Sequence, residues 1–128
     1  MKPALESRIQ RDIEIAIGAE QDLILLRNSV GRALHVSERS GKSFHVPYGL
    51  GVGTPDLVGL LTAHTPRGPL ATWFCLEVKQ PGKYPTPEQR ECIALWTRIG
   101  AFVGVVTSVI EAHAALASAR ARLKRLAA

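Results

Sequence analysis

Helical and strand-like patterns of apolar residues alternate along the chain. A four-residue apolar repeat near the start predicts an amphipathic helix over residues 5–17, and Gly18 is a suitable stop. Short apolar runs bounded by turn residues predict strands over residues 22–27, 33–37, 44–48, 56–63 and 71–79. This part of the chain therefore indicates one helix followed by several strands.

Capping signals organise the rest of the chain. The segment 86–89 (TPEQ) has the order of an N-cap residue, a proline at the first helical position and a capping-box glutamine, which predicts a helix over residues 87–99. Residues 101–107 form an apolar run typical of a buried parallel strand, and Ser108 with Glu111 predicts a capping box that opens a final alanine-rich helix. The whole order predicts an α/β fold, a mixed β-sheet flanked by helices.

Composition favours one globular domain over residues 1–128. The chain has 128 residues, 46% of them hydrophobic, which allows a real core without disulfides or zinc. Its two cysteines, Cys75 and Cys92, have no metal-ligand spacing, and no apolar run approaches the ~20 residues of a membrane span. We expect a soluble protein of a reducing cytoplasm, in a bacterial or phage-infected cell, with no membrane partner.

The distribution of charge draws attention to a few acids. Sixteen Lys and Arg against eleven Asp and Glu give a net charge of +5, a mild bias toward polyanionic partners. Asp56 is the only acid between Glu38 and Glu77 in the sequence. Acids are scarce in this stretch, so those present need an explanation.

Two of these acids are predicted to meet across a strand pair. If the turn after residue 63 forms an antiparallel hairpin with Ala63 opposite Leu70, Asp56 falls opposite Glu77. Opposed side chains have Cβ atoms about 4.5–5.5 Å apart, so two carboxylates there require a cation or a raised pKa. Mg²⁺, which takes one or two carboxylates plus waters and phosphate oxygens, meets that requirement. A one-residue slip in register would separate the pair.

Three further polar residues suit the same chemistry. Glu6 lies at the edge of the buried helical stripe and could reach the end of the sheet as a third acid. Lys79 shares a strand face with Glu77, where its charge could stabilise a phosphodiester in the transition state or hold an attacking water. Gln89 could orient water or phosphate. These residues indicate metal-assisted hydrolysis of a phosphodiester.

The order of the motifs resembles a known nuclease family. Along the chain come Glu6, then Gly51-Val52-Gly53-Thr54-Pro55-Asp56, then Glu77-Val78-Lys79, then a proline-rich loop and Pro87-Glu88-Gln89. Over residues 6–107 this order is similar to that of the VRR-NUC family, the virus-type replication and repair nucleases of the PD-(D/E)xK superfamily. The resemblance implies a restriction-endonuclease-like core.

The resemblance also implies roles for single residues. Asp56 and Glu77 are expected to bind the catalytic Mg²⁺, for which Mn²⁺ substitutes, with the backbone carbonyl of Val78 as a further ligand. Glu6 would complete or support this ligand shell. The expected catalytic residues are Asp56, Glu77, Lys79 and Gln89. Arg27 and Asn28 are similar to the family's arginine-asparagine turn near the DNA face, and we expect them to contact DNA. Apart from the resemblance, we also expect the basic residues Lys42 and Lys83 to contact DNA.

The resemblance further implies a substrate and an assembly. Stand-alone members of this size are similar in form to Holliday-junction resolvases and act as homodimers. We therefore expect a metal-dependent endodeoxyribonuclease, acting as a homodimer on branched DNA such as Holliday junctions or flaps in replication, repair or recombination. Two alternatives stay open: a non-catalytic DNA-binding subunit that keeps the fold, and a restriction-type endonuclease that reads duplex sequence.

The same residues also allow simpler interpretations. Glu77 and Lys79 could be an ordinary ion pair at a solvated strand end, worth about 0–1 kcal/mol. Glu6 could be a first-turn acid favoured by the helix dipole, and Gln89 could serve only as a capping partner. The glycine loop before Asp56 fails the GxGxxG pattern and precedes a strand, so no nucleotide cofactor is expected.

Overall fold

Three helices and six strands form in residues 2–128, the part of the chain that the computed structural model describes. In chain order they are α1 (Ala4–Ile17), β1 (Leu23–Arg27), β2 (Gly31–Val36), β3 (Ser43–Tyr48), β4 (Leu57–Thr65), β5 (Gly68–Val78), α2 (Pro87–Arg98), β6 (Phe102–Val106) and α3 (Val109–Ala127). Each predicted element forms, with bounds that differ by a few residues. The largest difference is at the start of β5, which begins at Gly68 instead of residue 71 because the β4–β5 turn is tight.

Four strands make a mixed sheet in the order β1-β4-β5-β6. β1, β4 and β5 pair antiparallel, whereas β6 runs parallel to β5 because α2 carries the chain back between them. The predicted α/β class with a mixed sheet flanked by helices is confirmed.

The core lies on one face of this sheet. α1 and α3 cover that face. The side chains buried between the helices and the strands include Ile13, Ile17, Leu57, Leu61, Phe74, Leu76, Val78 and Leu116. α2 lies on the opposite face, where none of its own residues is fully buried. The two faces of the sheet therefore differ, since one is fully covered and the other only in part.

The caps of the two later helices confirm most of the local prediction. The Thr86 side chain accepts from the backbone N–H of Gln89, and the Gln89 side chain accepts from the Thr86 N–H, which completes the capping box of α2. At α3 the Ser108 side chain accepts from the Glu111 N–H. The Glu111 carboxylate, however, accepts from the N–H of Thr107, one residue earlier than a reciprocal capping box requires. None of the helices in residues 2–128 is both long and apolar enough to cross a membrane.

The β2–β3 hairpin forms a separate two-stranded sheet. Every residue of β3 is exposed, and large apolar side chains on both strands face solvent, among them Leu34 at 62% and Phe44 at 50% exposure. A two-stranded hairpin on its own is at best marginally stable in water. The hairpin thus carries more apolar surface than its own pairing covers.

Candidate metal centre

The hairpin of β4 and β5 brings the two predicted acids together. Ala63 pairs with Leu70 and the register continues unbroken to Leu57 opposite Leu76. The next position along each strand places Asp56 opposite Glu77, as the sequence predicts. The register is confirmed, and the two carboxylates lie side by side where the strand pair opens.

Asp56 is fixed through both carboxylate oxygens. Its Oδ2 accepts a hydrogen bond of 2.8 Å from the backbone N–H of Val78, and its Oδ1 lies 3.0 Å from the ammonium nitrogen of Lys2. The Asp56 side chain is 21% exposed, so it reaches solvent from the end of the sheet. One carboxylate oxygen is therefore hydrogen-bonded to the neighbouring strand, while the other faces the ammonium group of Lys2.

Glu77 is a buried carboxylate with an incomplete set of partners. Its side chain is 1% exposed, and Oε1 accepts a hydrogen bond of 3.1 Å from Nε2 of Gln89. Oε2 is buried and accepts no hydrogen bond from any residue between 2 and 128. Burial, together with the neighbouring Asp56 carboxylate, raises the pKa of Glu77 to about 9.

Lys79 lies next to Glu77 on the same face of the chain, as the strand alternation predicts. Its ammonium nitrogen is 3.8 Å from Oε1 of Glu77, and the side chain is only 10% exposed. Its backbone N–H donates to the carbonyl of Val106 in the parallel strand β6. The lysine therefore has a fixed backbone and a nearly buried charge, unlike a solvated strand end.

Gln89 caps α2 and also contacts Glu77, while its expected role in orienting water or phosphate stays a prediction. The Oε1 atom caps α2, while Nε2 reaches across to Glu77. Because one end of the amide is held by the helix cap, the other end presents its N–H at a defined place. The helix start thus orients Glu77 Oε1 and leaves Oε2 free of protein donors in the described chain.

The glycine loop before Asp56 follows a path that few residues can adopt. Gly49, Gly51 and Gly53 have φ values of +83°, +116° and +84°. A Cβ on Gly53 would come within 2.9 Å of the carbonyl oxygen of Glu88, at the start of α2. The glycine spacing therefore lets the loop turn tightly and pack against α2 as it leads into Asp56.

The remaining predicted residues lie at different distances from this centre. Glu6 is buried on α1, and residues 2–128 contain no group of three or more His, Cys, Asp or Glu side chains able to hold a metal ion. Glu6 thus does not form such a group with Asp56 and Glu77, and its supporting role stays a prediction. Arg27 forms an ion pair of 2.6 Å with Glu14, and Lys42 and Lys83 are exposed.

Two cleft residues were not predicted from the sequence. Lys2 donates to the side chain of Gln10 as well as contacting Asp56, and both residues line a cleft of about 540 Å³ that also contains Asp56 and Gln89. Gln10 gives a weak signal, since it lies one turn beyond Glu6 on the buried face of α1. Lys2 gives none, because only the tertiary fold brings it to the sheet.

The arrangement fits a hard divalent cation. Two carboxylates meet, and one of their oxygens is buried without a donor in residues 2–128, a state that costs free energy unless a cation or a proton balances the charge. Oxygen ligands of this kind suit Mg²⁺, which takes one or two carboxylates and keeps several waters. Lys2 places an ammonium group at Asp56, which shows that the centre attracts positive charge.

Comparisons with known proteins bear on the fold. No family model matches the sequence, and no curated protein matches it. A solved structure described as a VRR_NUC domain superposes with a TM-score of 0.55 at 23% identity, covering 89% of this chain and 96% of the other. A second, described as a VRR_NUC domain protein, gives 0.54 at 16% identity, covering 92% and 89%. The chain therefore has the fold of VRR_NUC domains, as its motifs predict.

Proposed function

We propose that this chain is a metal-dependent nuclease that hydrolyses phosphodiester bonds in DNA. The observation that carries the proposal is the carboxylate pair of Asp56 and Glu77, in which Oε2 of the buried Glu77 lacks a donor in the described chain. A buried lysine 3.8 Å from the same carboxylate adds the charge that phosphoryl chemistry requires. The fold that the chain shares with VRR_NUC domains supports the same proposed function.

Each residue of the centre has a proposed task. Asp56, Glu77 and the backbone carbonyl of Val78 would hold Mg²⁺, or Mn²⁺ in its place. When bound, the ion would supply Lewis-acid polarisation of the phosphate and lower the pKa of a coordinated water. Lys79 places a positive charge where negative charge builds on the phosphate, and Gln89 keeps Glu77 oriented through Oε1.

We further propose branched DNA as the substrate, in replication, repair or recombination. The net charge of +5 favours a polyanion, and a bound cation would offset the acids at the centre, making the working surface more positive. Of the basic residues proposed as DNA contacts, Lys42 and Lys83 are exposed, while Arg27 would have to leave or share its ion pair with Glu14.

Glu6, which is buried on α1, is proposed as a supporting acid of the metal centre.

A substrate panel tests activity and specificity together. A four-way junction, a flap and a plain duplex of shared sequence would be incubated with the protein in Mg²⁺, Mn²⁺ or EDTA. We expect metal-dependent cleavage of the branched substrates and a loss of about 100-fold or more in Asp56→Asn and Lys79→Met. Matched controls are Glu88→Gln and Lys124→Met, since both side chains are exposed and should leave cleavage unchanged.

Three results would contradict the proposal in different ways. Equal cleavage by wild type and the Asp56 and Lys79 variants would place the chemistry elsewhere. Junction binding with no cleavage in any metal would favour a non-catalytic DNA-binding subunit. Preferential cutting of particular duplex sites would favour a restriction-type enzyme.

The proposed working unit is a homodimer. Large apolar side chains remain exposed on the β2–β3 hairpin and on the uncovered part of the main sheet, where Ile24 and Leu26 are 57% and 58% exposed. The same sheet face continues into a groove of about 670 Å³ whose lining includes Leu60, Trp73 and Trp96. Extended apolar surface of this kind is typical of subunit interfaces, and a second copy would present the same surface in return.

Oligomeric state tests this part of the proposal separately. Light scattering coupled to size exclusion should give the mass of a dimer for wild type and of a monomer for Phe44→Lys combined with Leu34→Lys. Ile15→Lys is a matched control, because Ile15 is 73% exposed but lies on α1. A wild type that is monomeric at micromolar concentration would contradict the dimer without affecting the metal centre.

A further inference from the structure

The side chain of Asn28 is fully engaged by the glycine loop. Its amide nitrogen donates to Oγ1 of Thr54 at 2.8 Å and to the carbonyl of Pro55 at 2.7 Å, which uses both of its hydrogens. Its Oδ1 accepts from the backbone N–H of Leu50 at 3.0 Å. One side chain therefore binds the loop near its beginning and at its end.

The backbone of the same residue holds Asp56 itself. The N–H of Asn28 donates to the carbonyl of Asp56 at 2.8 Å, one step beyond the last ladder pair of Arg27 with Leu57. Asn28 thus contacts the residue that carries the carboxylate and, through its side chain, the residue immediately before it.

Thr54 extends this contact back into the loop. Its hydroxyl accepts from Asn28 and donates to the carbonyl of Gly51 at 2.6 Å. Gly51 and Gly53 have positive φ values, which other residue types rarely adopt. These glycines give the loop more conformational freedom than other residues would. Without these hydrogen bonds the loop would sample other paths, and the position of Asp56 would vary with them.

We propose that Asn28 is a positioning residue for Asp56, clamping the loop 50–55 so that the carboxylate is held beside Glu77 for metal binding. This inference rests on the proposed metal centre. It gives Asn28 a role different from the DNA contact expected from the sequence, because both amide hydrogens are already used within the chain. Asparagine suits the position since it alone offers two donors and an acceptor on so short a side chain.

Isothermal titration of the apo protein with Mn²⁺ tests the role independently of catalysis. We expect Asn28→Ala and Asn28→Asp to raise the Kd for Mn²⁺ by about 10- to 100-fold, the usual effect of removing a group that orients a metal ligand. Thr54→Val should weaken binding in the same direction, whereas Thr54→Ser, which keeps the hydroxyl, should retain the wild-type Kd. Ser29→Ala, next in the chain and exposed, is the control.

Junction binding in EDTA separates positioning from DNA contact. Asn28→Ala should bind a four-way junction as wild type does; weaker junction binding with an unchanged Mn²⁺ Kd would overturn the inference in favour of a direct contact. An unchanged Kd in Asn28→Ala and Thr54→Val would also overturn it, provided that Asp56→Asn loses Mn²⁺ binding. If Asp56→Asn binds Mn²⁺ normally, the metal centre itself is wrong. If Asn28→Ala does not fold, the two Thr54 variants decide.

Discussion

Replacing Glu77 by glutamine should stabilise the metal-free protein at neutral pH. Glu77 is 1% exposed, and one of its oxygens has no donor among the described residues. Glutamine has nearly the same shape but no charge, so Glu77→Gln removes the group that is hardest to bury and leaves the strand register unchanged. Substitution of an ordinary buried side chain lowers the free energy of unfolding, whereas this substitution is expected to raise it.

The size of the gain follows from the pKa. Burial and the Asp56 carboxylate raise the pKa of Glu77 from 4.5 to about 9 in the folded chain. The Glu77 carboxyl therefore binds its proton more tightly in the folded state than in the unfolded state. The stability that this proton contributes is fully present at low pH and is lost progressively as the pH rises from about 4.5 to 9. At pH 7 the free energy of unfolding has fallen by about 3 kcal/mol through this group.

Urea unfolding followed by circular dichroism in EDTA measures this directly. Wild type, Glu77→Gln and the exposed control Glu88→Gln would be compared at pH 4.5, 7 and 8.5 at one protein concentration. Glu77→Gln should exceed wild type by about 3 kcal/mol at pH 7, by more at pH 8.5 and by little at pH 4.5. Saturating Mn²⁺ should reduce the difference, since it stabilises only the chain that keeps the carboxylate pair.

A Glu77→Gln variant that is less stable than wild type by the same amount at all three pH values would refute this reasoning. Such a result would mean that the Glu77 carboxylate has sufficient hydrogen-bond partners in the folded chain, and that it needs no cation to balance its charge.

Three further predictions concern other parts of the chain. Lys2→Met should lower the Kd for Mn²⁺ by about 2- to 5-fold in titration calorimetry, because the Lys2 ammonium competes for Asp56 in a partly exposed ion pair; a weaker Kd would show that Lys2 assists binding. Gly59→Ala should lower the free energy of unfolding by at least about 2 kcal/mol, since its Cβ would collide with the Ile24 carbonyl on the neighbouring strand; a neutral effect in urea titration would contradict that packing. Burial raises the pKa of the Cys75 thiol to about 12, so iodoacetamide should label it at pH 8 only after urea unfolding; rapid labelling of the native chain, read by mass spectrometry, would show that the core opens there.

The parts of the centre that depend on neighbouring residues could be predicted from the sequence. Asp56 opposite Glu77 follows from one tight turn and the two-residue period of a strand, so a single assumed pair sets the whole register. The Thr86 and Gln89 cap follows from local hydrogen bonding within one helical turn. These interactions join residues that are close in the chain or in one hairpin, and their geometry is repeated in every protein that uses them.

The sequence alone determined the α/β order, the carboxylate pair and the shared strand face of Lys79. Only the tertiary structure decided what surrounds them: the separation of β2 and β3 from the main sheet, the approach of Lys2 to Asp56, and the clamp of Asn28 on a loop more than twenty residues away. No periodicity or spacing records such contacts, because they depend on how whole elements pack. Burial has the same origin, and it is burial that leaves Glu77 without a donor among the described residues and raises its pKa.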